Sequence, residues 1–177
     1  MDVPEMINAG ELVLKRWEPA WAVEAADAVS ESLPEFQPFL PWAVDGYGLD
    51  QSRAFIEMSV DSWDAGTEFN YAVFTTIGEL IGSIGLMTRL GPGTLEIGYW
   101  IRTPFAGRGH MTAAVTVLTR VALTLDGVER VVVRFDEANK ASAAVAAKAG
   151  FTEVDRSRRE PTAPGETEIL VTTERRS

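Results

Sequence analysis

The residues from Phe105 to Ala114, F-A-G-R-G-H-M-T-A-A, join a strand-like run, E-I-G-Y-W-I at 96–101, to a helix-like one. Gly107 and Gly109 lack a Cβ, so the backbone can take positive φ and approach a ligand closely. The free NH groups of the first helical turn then point outward with the positive end of the helix dipole. That is a phosphate or pyrophosphate site, although a plain tight turn before a core helix uses the same residues. Further on, D-E-A-N-K-A-S at 136–142 runs into A-A-V-A-A-K-A-G-F at 143–151. Here a strand ends at Phe135, Asn139 follows, Ser142 stands at a helix start and Gly-Phe closes the helix. Between these lies Glu96, on one strand face with Gly98 and Trp100, while Leu95, Ile97 and Tyr99 point oppositely. A carboxylate in an otherwise apolar strand is costly unless paired or used. It would act through water as general base on an attacking ammonium, or pair with an arginine such as Arg89.

These residues need elements to position them. Residues 12–16 read as a strand and 20–32 as a helix with Ala22, Ala25, Ala26 and Val29 on one face. The Pro- and aromatic-rich segment 33–42 cannot continue that helix. A second helix is predicted over 50–64, with Asp50 as N-cap and Phe55, Ile56, Ser59, Val60 and Trp63 inward. Strands over 70–76, 80–87 and 94–101 are separated by I-G-E and G-P-G, turns short enough for hairpins. After the glycine turn, Val115, Leu118, Ala122 and Leu125 mark one buried helix face. A strand at 130–135, a helix at 142–149 and strands at 151–156 and 167–173 complete the order. Hairpins first and crossover helices later imply a sheet that is antiparallel at the start and gains parallel neighbours. Ligands bind beyond the carboxyl ends of strands in such open sheets.

Composition narrows the function. The 177 residues suit a single domain spanning 1–177, and 46% apolar with 24% charged residues is ordinary for a soluble globular protein. The absence of cysteine excludes disulfides, thiolate metal sites and a cysteine nucleophile. His110 is the only histidine, so no metal site is expected. No stretch approaches about 18 unbroken apolar residues, and the acidic start M-D-V-P-E lacks the regions of a signal peptide. A cytoplasmic location without membrane contact is the expectation. A net charge of −10 argues against a broad nucleic-acid footprint and suits a cationic substrate better, though most of these carboxylates serve solubility. Arg102, Arg108, His110 and Lys140 supply positive charge near the two motifs.

The N-x-x-S pattern before a helix ending in A-G-F, preceded by E-I-G-Y-W-I and a G-x-G turn, resembles the GNAT acyltransferases. Within them it is similar to the RimJ/RimL type, which acetylates N-terminal amines of ribosomal proteins. The resemblance covers the whole domain in element order. It implies an α/β (α+β) fold with a mixed, mostly antiparallel twisted sheet of about six to seven strands flanked by helices. It also implies acetyl-CoA, or another acyl-CoA, as cosubstrate. The pyrophosphate would sit on Gly107, Arg108, Gly109, His110, Met111, Thr112 and Ala113, and the pantetheine arm along Trp100, Ile101 and Arg102. Asn139 resembles the residue that hydrogen-bonds this arm, and it could equally cap the helix. Ser142 resembles the donor to the departing thiolate, against a plain helix start. Tyr47, Tyr71 and Tyr99 are the only tyrosines and lie outside this segment. The family usually has Gln or Arg where Ala106 stands and Gly or Ala where Met111 stands. Backbone NH donors survive both changes.

Segment 36–42, which contains Phe39 and Trp42, is expected to wall an acceptor cleft together with Trp17 and Trp63, and L-P-E-F-Q-P-F-L-P-W-A at 33–43 is similar to a segment of RimL-like enzymes. Core coverage is the competing use. The expected reaction is direct attack of an amine on the thioester, with Glu96 as base, a strand NH near Ile101 at the oxyanion and Ser142 assisting departure. A protein N-terminus asks less of the base than lysine, since reference pKa values near 8 and 10.4 differ by roughly 3 kcal/mol. A small-molecule amine such as an antibiotic or polyamine is the alternative acceptor, and a homodimer is compatible with the sequence. Two rivals are a nucleotide-binding module and a non-catalytic acyl-CoA sensor. The first lacks G-K-[ST] and has Thr112 where a dinucleotide fingerprint needs glycine. The second is disfavoured by the retention of Glu96 and Ser142.

Overall fold

Alternating apolar residues build an eight-stranded sheet in the computed structural model, which describes residues 1–177. The strands are β1 (Met6–Ala9), β2 (Leu12–Arg16), β3 (Glu68–Thr75), β4 (Leu80–Met87), β5 (Thr94–Ile101), β6 (Arg130–Asp136), β7 (Thr152–Arg158) and β8 (Ile169–Arg176), in the order β1-β2-β3-β4-β5-β6-β8-β7. Only β5 and β6 run parallel, as the helical crossover between them requires. The sheet thus has one strand more than expected. β1 is four residues long and turns back through Gly10 at φ 67° to pair with β2.

The helices are α1 (Ala22–Glu31), α2 (Leu33–Phe36), α3 (Leu49–Ala65), α4 (His110–Leu123) and α5 (Lys140–Lys148). The Pro-rich segment does break α1, but its first four residues form the single turn α2, with Pro34 in the first turn where its missing NH is harmless. α3 starts a residue before expectation: Gly48 is its N-cap and donates its NH to Gln51 Oε1 at 2.9 Å, so Asp50 lies inside the first turn. The last strand begins at Ile169 rather than Thr167, because Thr167 is bonded to Asp136 and Glu168 takes φ 79°.

Helices cover both faces of the sheet. On one face Met111, Val115, Leu118 and Ala122 of α4 pack on Leu95, Ile97, Val131 and Val133. Complete burial of a leucine such as Leu118 contributes about 2 kcal/mol. On the other face Ala22, Ala25, Val29 and Ile56 pack with Trp17, Phe74, Leu80 and Trp100. β7 is exposed along its whole length, and the charged residues Glu153, Asp155, Arg156 and Arg158 guard this open edge.

Candidate active site

The glycine turn has the geometry its sequence implies. Gly107 and Gly109 take φ 72° and 80°, and Gly109 is the N-cap of α4 without any side-chain cap. The first helical hydrogen bond runs from Ala113 NH to Gly109 O at 3.0 Å. The NH groups of His110, Met111 and Thr112 therefore have no helical partner and are free for an anion, whereas that of Ala113, expected in the same set, is already used. Met111 is buried in the core, so its side chain takes no part and only its NH can. Arg108 is exposed, with its guanidinium 5.8 Å from the Phe105 ring, and His110 also packs on Phe105.

Arg102 departs from expectation. Its Nε and Nη2 donate to the two carboxylate oxygens of Glu31 at 2.7 and 3.1 Å, and its Nη1 reaches Glu79 and Leu80 O. The hydrogen bond to Glu31 leads the causes that raise its pKa. Four of its five N–H donors are so engaged, and the guanidinium is held by carboxylates rather than free for a pyrophosphate. Its backbone NH also donates to Ile81 O, toward β4.

Next to the turn the sheet opens. β5 and β6 pair only through Thr94, Leu95 and Glu96 against Arg130, Val131 and Val132, after which the two strands part. Because Arg102 NH faces β4, alternation turns the peptide groups of Ile97, Tyr99 and Ile101 toward the gap. Ile97, Tyr99, Val133, Asp136, Asn139 and Ser142 border a cavity of about 140 Å³ there. Asn139 caps α5, its Oδ1 accepting from Ser142 NH at 3.2 Å, while its Nδ2 has no partner in the chain. The cap and a ligand contact are thus compatible uses of one side chain. Ser142 Oγ makes no hydrogen bond within the chain, and it is not the sole local hydroxyl. Tyr99 reaches across and donates to Ser142 O at 3.4 Å. Burial pushes the Tyr99 phenol up to about 12, against a lowering by the bond to Ser142, so it carries its proton at neutral pH.

Glu96 is buried and ion-paired. Arg89 Nε donates to Oε1 at 2.5 Å, Arg134 Nε to Oε2 at 2.6 Å and Arg134 Nη2 to Oε1 at 3.3 Å. Burial pushes the carboxyl up, but the hydrogen bonds from Arg134 and Arg89 outweigh it and hold the group below the ordinary glutamate value. This is the ion pair weighed against the base role, extended by a second arginine. With both oxygens occupied, the carboxylate is a poor proton acceptor.

On the α1/α3 face a cleft of about 750 Å³ lies over β4 and β5. Its floor includes Gly98 and the Asn70 side chain, which lies over Gly85, the residue directly opposed to Gly98 across the two strands. Phe39, Trp42 and Trp100 form its aromatic side, with Trp42 and Trp100 rings 6.4 Å apart. Two expected wall residues lie elsewhere. Trp17 is fully buried beneath the sheet surface, its Nε1 donating to Ser83 Oγ at 3.1 Å. Trp63 packs edge-on against Phe69 and Tyr71 under the Arg16 guanidinium.

The loop between β7 and β8 closes the cleft from above. Gly165 NH donates to Pro38 O at 2.8 Å, and a Cβ at Gly165 would collide with Pro38. Asp136 holds the loop's far end: its carboxylate accepts from Thr167 NH and Oγ1 and from Ala138 NH. Burial opposes ionisation of Asp136, and these donors more than offset it. Within the loop Glu166 accepts from Arg159 Nη2 at 2.8 Å and from Thr162 Oγ1 at 2.7 Å.

A family profile described as acetyltransferase (GNAT) domain matches residues 11–152. The chain belongs to the GNAT acetyltransferases. No curated protein sequence matches it closely enough to count as a relative. Solved GNAT structures match the fold closely. A microcin self-immunity acetyltransferase, solved with acetyl-CoA and AMP, superposes with a TM-score of 0.90 at 20% identity, covering 99% of this chain and 98% of that one. RimL, a ribosomal-protein α-N-acetyltransferase solved with coenzyme A, gives 0.88 at 20% identity over 97% and 98%. An acetyltransferase from Salmonella typhimurium that modifies an N-terminal serine of a ribosomal protein gives 0.85 at 19% identity over 98% and 99%.

In this GNAT enzyme the chemistry is acetyl transfer from acetyl-CoA, and no cluster of potential metal ligands is present. No helix is long and apolar enough to cross a membrane. Sequence reasoning missed Tyr99, Arg134, Arg159 and Glu166 at the site. Arg134 was detectable, because a second basic residue on the neighbouring strand is the natural partner for a carboxylate isolated in β5. The other three depend on loop and strand placements that periodicity does not encode.

Proposed function

We propose that this enzyme acetylates the α-amine of a protein or peptide N-terminus by direct transfer in a ternary complex. The parting of β5 from β6 beside an uncapped α4 N-terminus carries the reading. Free NH groups of His110, Met111 and Thr112 would hold the pyrophosphate, assisted by Gly107, Gly109 and Arg108. The backbone of Tyr99 and Ile101, with Asn139 Nδ2, would hold the pantetheine arm, which brings its own amides to this edge; Trp100 and Arg102, expected in the same set, turn their peptide groups to β4. The reactive thioester comes with the cosubstrate; this chain's part is to orient it, receive the amine and supply a proton.

The proton donor to the leaving sulfur is Tyr99, with Ser142 Oγ as a second hydroxyl, since the phenol hydroxyl reaches from β5 to the first turn of α5. Glu96 becomes a positioning residue that sets Arg89 and Arg134, and the proton shed by the attacking nitrogen as the C–N bond forms passes to solvent water. The weakness of Glu96 as base suits an α-amine, of which about a tenth is already neutral at pH 7. A second reading, a small-molecule amine acceptor, is favoured by the cleft, whose size of about 750 Å³ is that of small-ligand pockets. Thiol release from acetyl-CoA with peptides bearing free or blocked N-termini tests the proposal. Turnover with free N-termini alone is expected, and equal rates on both would overturn it.

A further inference from the structure

The cleft's charge is opposite to that of the chain around it. The molecule carries a net charge of −10, yet the charged residues lining the cleft are Arg89, Arg159 and Glu166. Glu166 is already committed to Arg159 and Thr162. Glu96, which anchors Arg89, is shared with Arg134, so two guanidinium groups face one carboxylate and a positive charge is left over. Arg89 uses only Nε toward Glu96. Its two Nη groups bond nothing within the chain, and its side chain is 58% exposed. No carboxylate is free to receive a second ammonium group, so a polyamine or other polycation has nothing to bind.

The floor beside Arg89 is formed by Gly98 and by the Asn70 side chain, whose Oδ1 stands where a Cβ of the buried Gly85 would lie, and a Cβ at Gly98 would come within 3.1 Å of Met87 Cε. Trp42 stays 40% exposed although its ring packs near Tyr47 and Trp100, leaving an aromatic surface ready at the cleft edge.

Resting on the acetyl-transfer reading, we propose that the acceptor is an amine with an aromatic or flat apolar first group and a carboxylate or phosphate beyond it. The ring lies against Trp42, and the anion is met by the Nη groups of Arg89. A peptide N-terminus beginning with an aromatic residue followed by an acidic one has this chemistry.

Acetylation of the C-terminally amidated dipeptides Phe-Asp, Phe-phosphoserine, Phe-Lys, Gly-Asp and Gly-Lys and of spermidine tests this. Phe-Asp or Phe-phosphoserine should exceed Phe-Lys and Gly-Asp in kcat/KM by roughly tenfold, and the two anionic arms separate carboxylate from phosphate. Spermidine should be the poorest acceptor. Arg89→Gln should erase the preference for Asp over Lys, and Trp42→Ala, at an exposed position, the preference for Phe over Gly. Phe-Lys or spermidine matching Phe-Asp would overturn the inference while leaving acetyl transfer intact. Turnover of none of them would instead count against the transfer reading. Calorimetry on the CoA-loaded protein then still decides, since Phe-Asp binding no tighter than Phe-Lys overturns the inference and tighter binding supports it.

Discussion

The hydroxyl of Tyr99 donates to the carbonyl oxygen of Ser142 across 3.4 Å, joining β5 to the first turn of α5 over the gap in the sheet. A protonated phenol at this spot is placed to meet a departing thiolate. Tyr99→Phe should lower kcat by about a hundredfold with little change in KM for acetyl-CoA, and Ser142→Ala by much less. Steady-state kinetics under saturating acceptor checks this. A larger loss for Ser142→Ala would move the donor role to the serine.

The pH profile separates a neutral-amine mechanism from one driven by Glu96. The neutral amine is the attacking form, so kcat/KM for a peptide should rise about tenfold per pH unit up to the α-amine pKa near 8 and then level off. A carboxylate base of lowered pKa is fully ionised throughout that range. A profile flat from pH 6 to 8 would restore Glu96 as the base.

Gly109→Ala should weaken CoA binding about fivefold, measured by calorimetry. The space around a Cβ there is open, so the penalty is the left-handed backbone, which costs a non-glycine residue about 1 kcal/mol and would pull the free NH groups out of line.

Glu96→Gln should destabilise the fold by about 3 kcal/mol, because Arg89 and Arg134 lose their shared counter-charge. Urea unfolding should show a lower midpoint at unchanged slope. The sign with pH follows from the lowered carboxyl pKa. The ion pair's contribution is fully present above the unfolded value near 4.3 and is lost as pH falls through the folded one. The gap between wild type and variant should therefore narrow in acid.

Where local pattern decides structure, the sequence was a good guide. The α4 face of Val115, Leu118 and Ala122 and the glycine turn before it follow from periodicity and from the need for positive φ. Distant pairings were not legible in this way. Arg102 finds Glu31 across 71 positions and Tyr99 finds Ser142 across 43, and neither spacing leaves a periodic trace. Trp17 and Trp63 were placed in the cleft on residue type alone. Whether a tryptophan lines a cavity or fills a core depends on what the neighbouring strands and helices bring against it, here Ser83 for one and Phe69 with Tyr71 for the other.

The eight strands are held together at their centre by only three residue pairs, those joining β5 to β6. Beyond that seam the peptide groups of β5 face a space rather than a neighbour. A molecule that fills it with amides of its own completes the sheet as a strand would. With the pantetheine arm in the place proposed for it, part of this enzyme's secondary structure is left for its cosubstrate to supply, and occupancy and folding stability become two readings of one equilibrium.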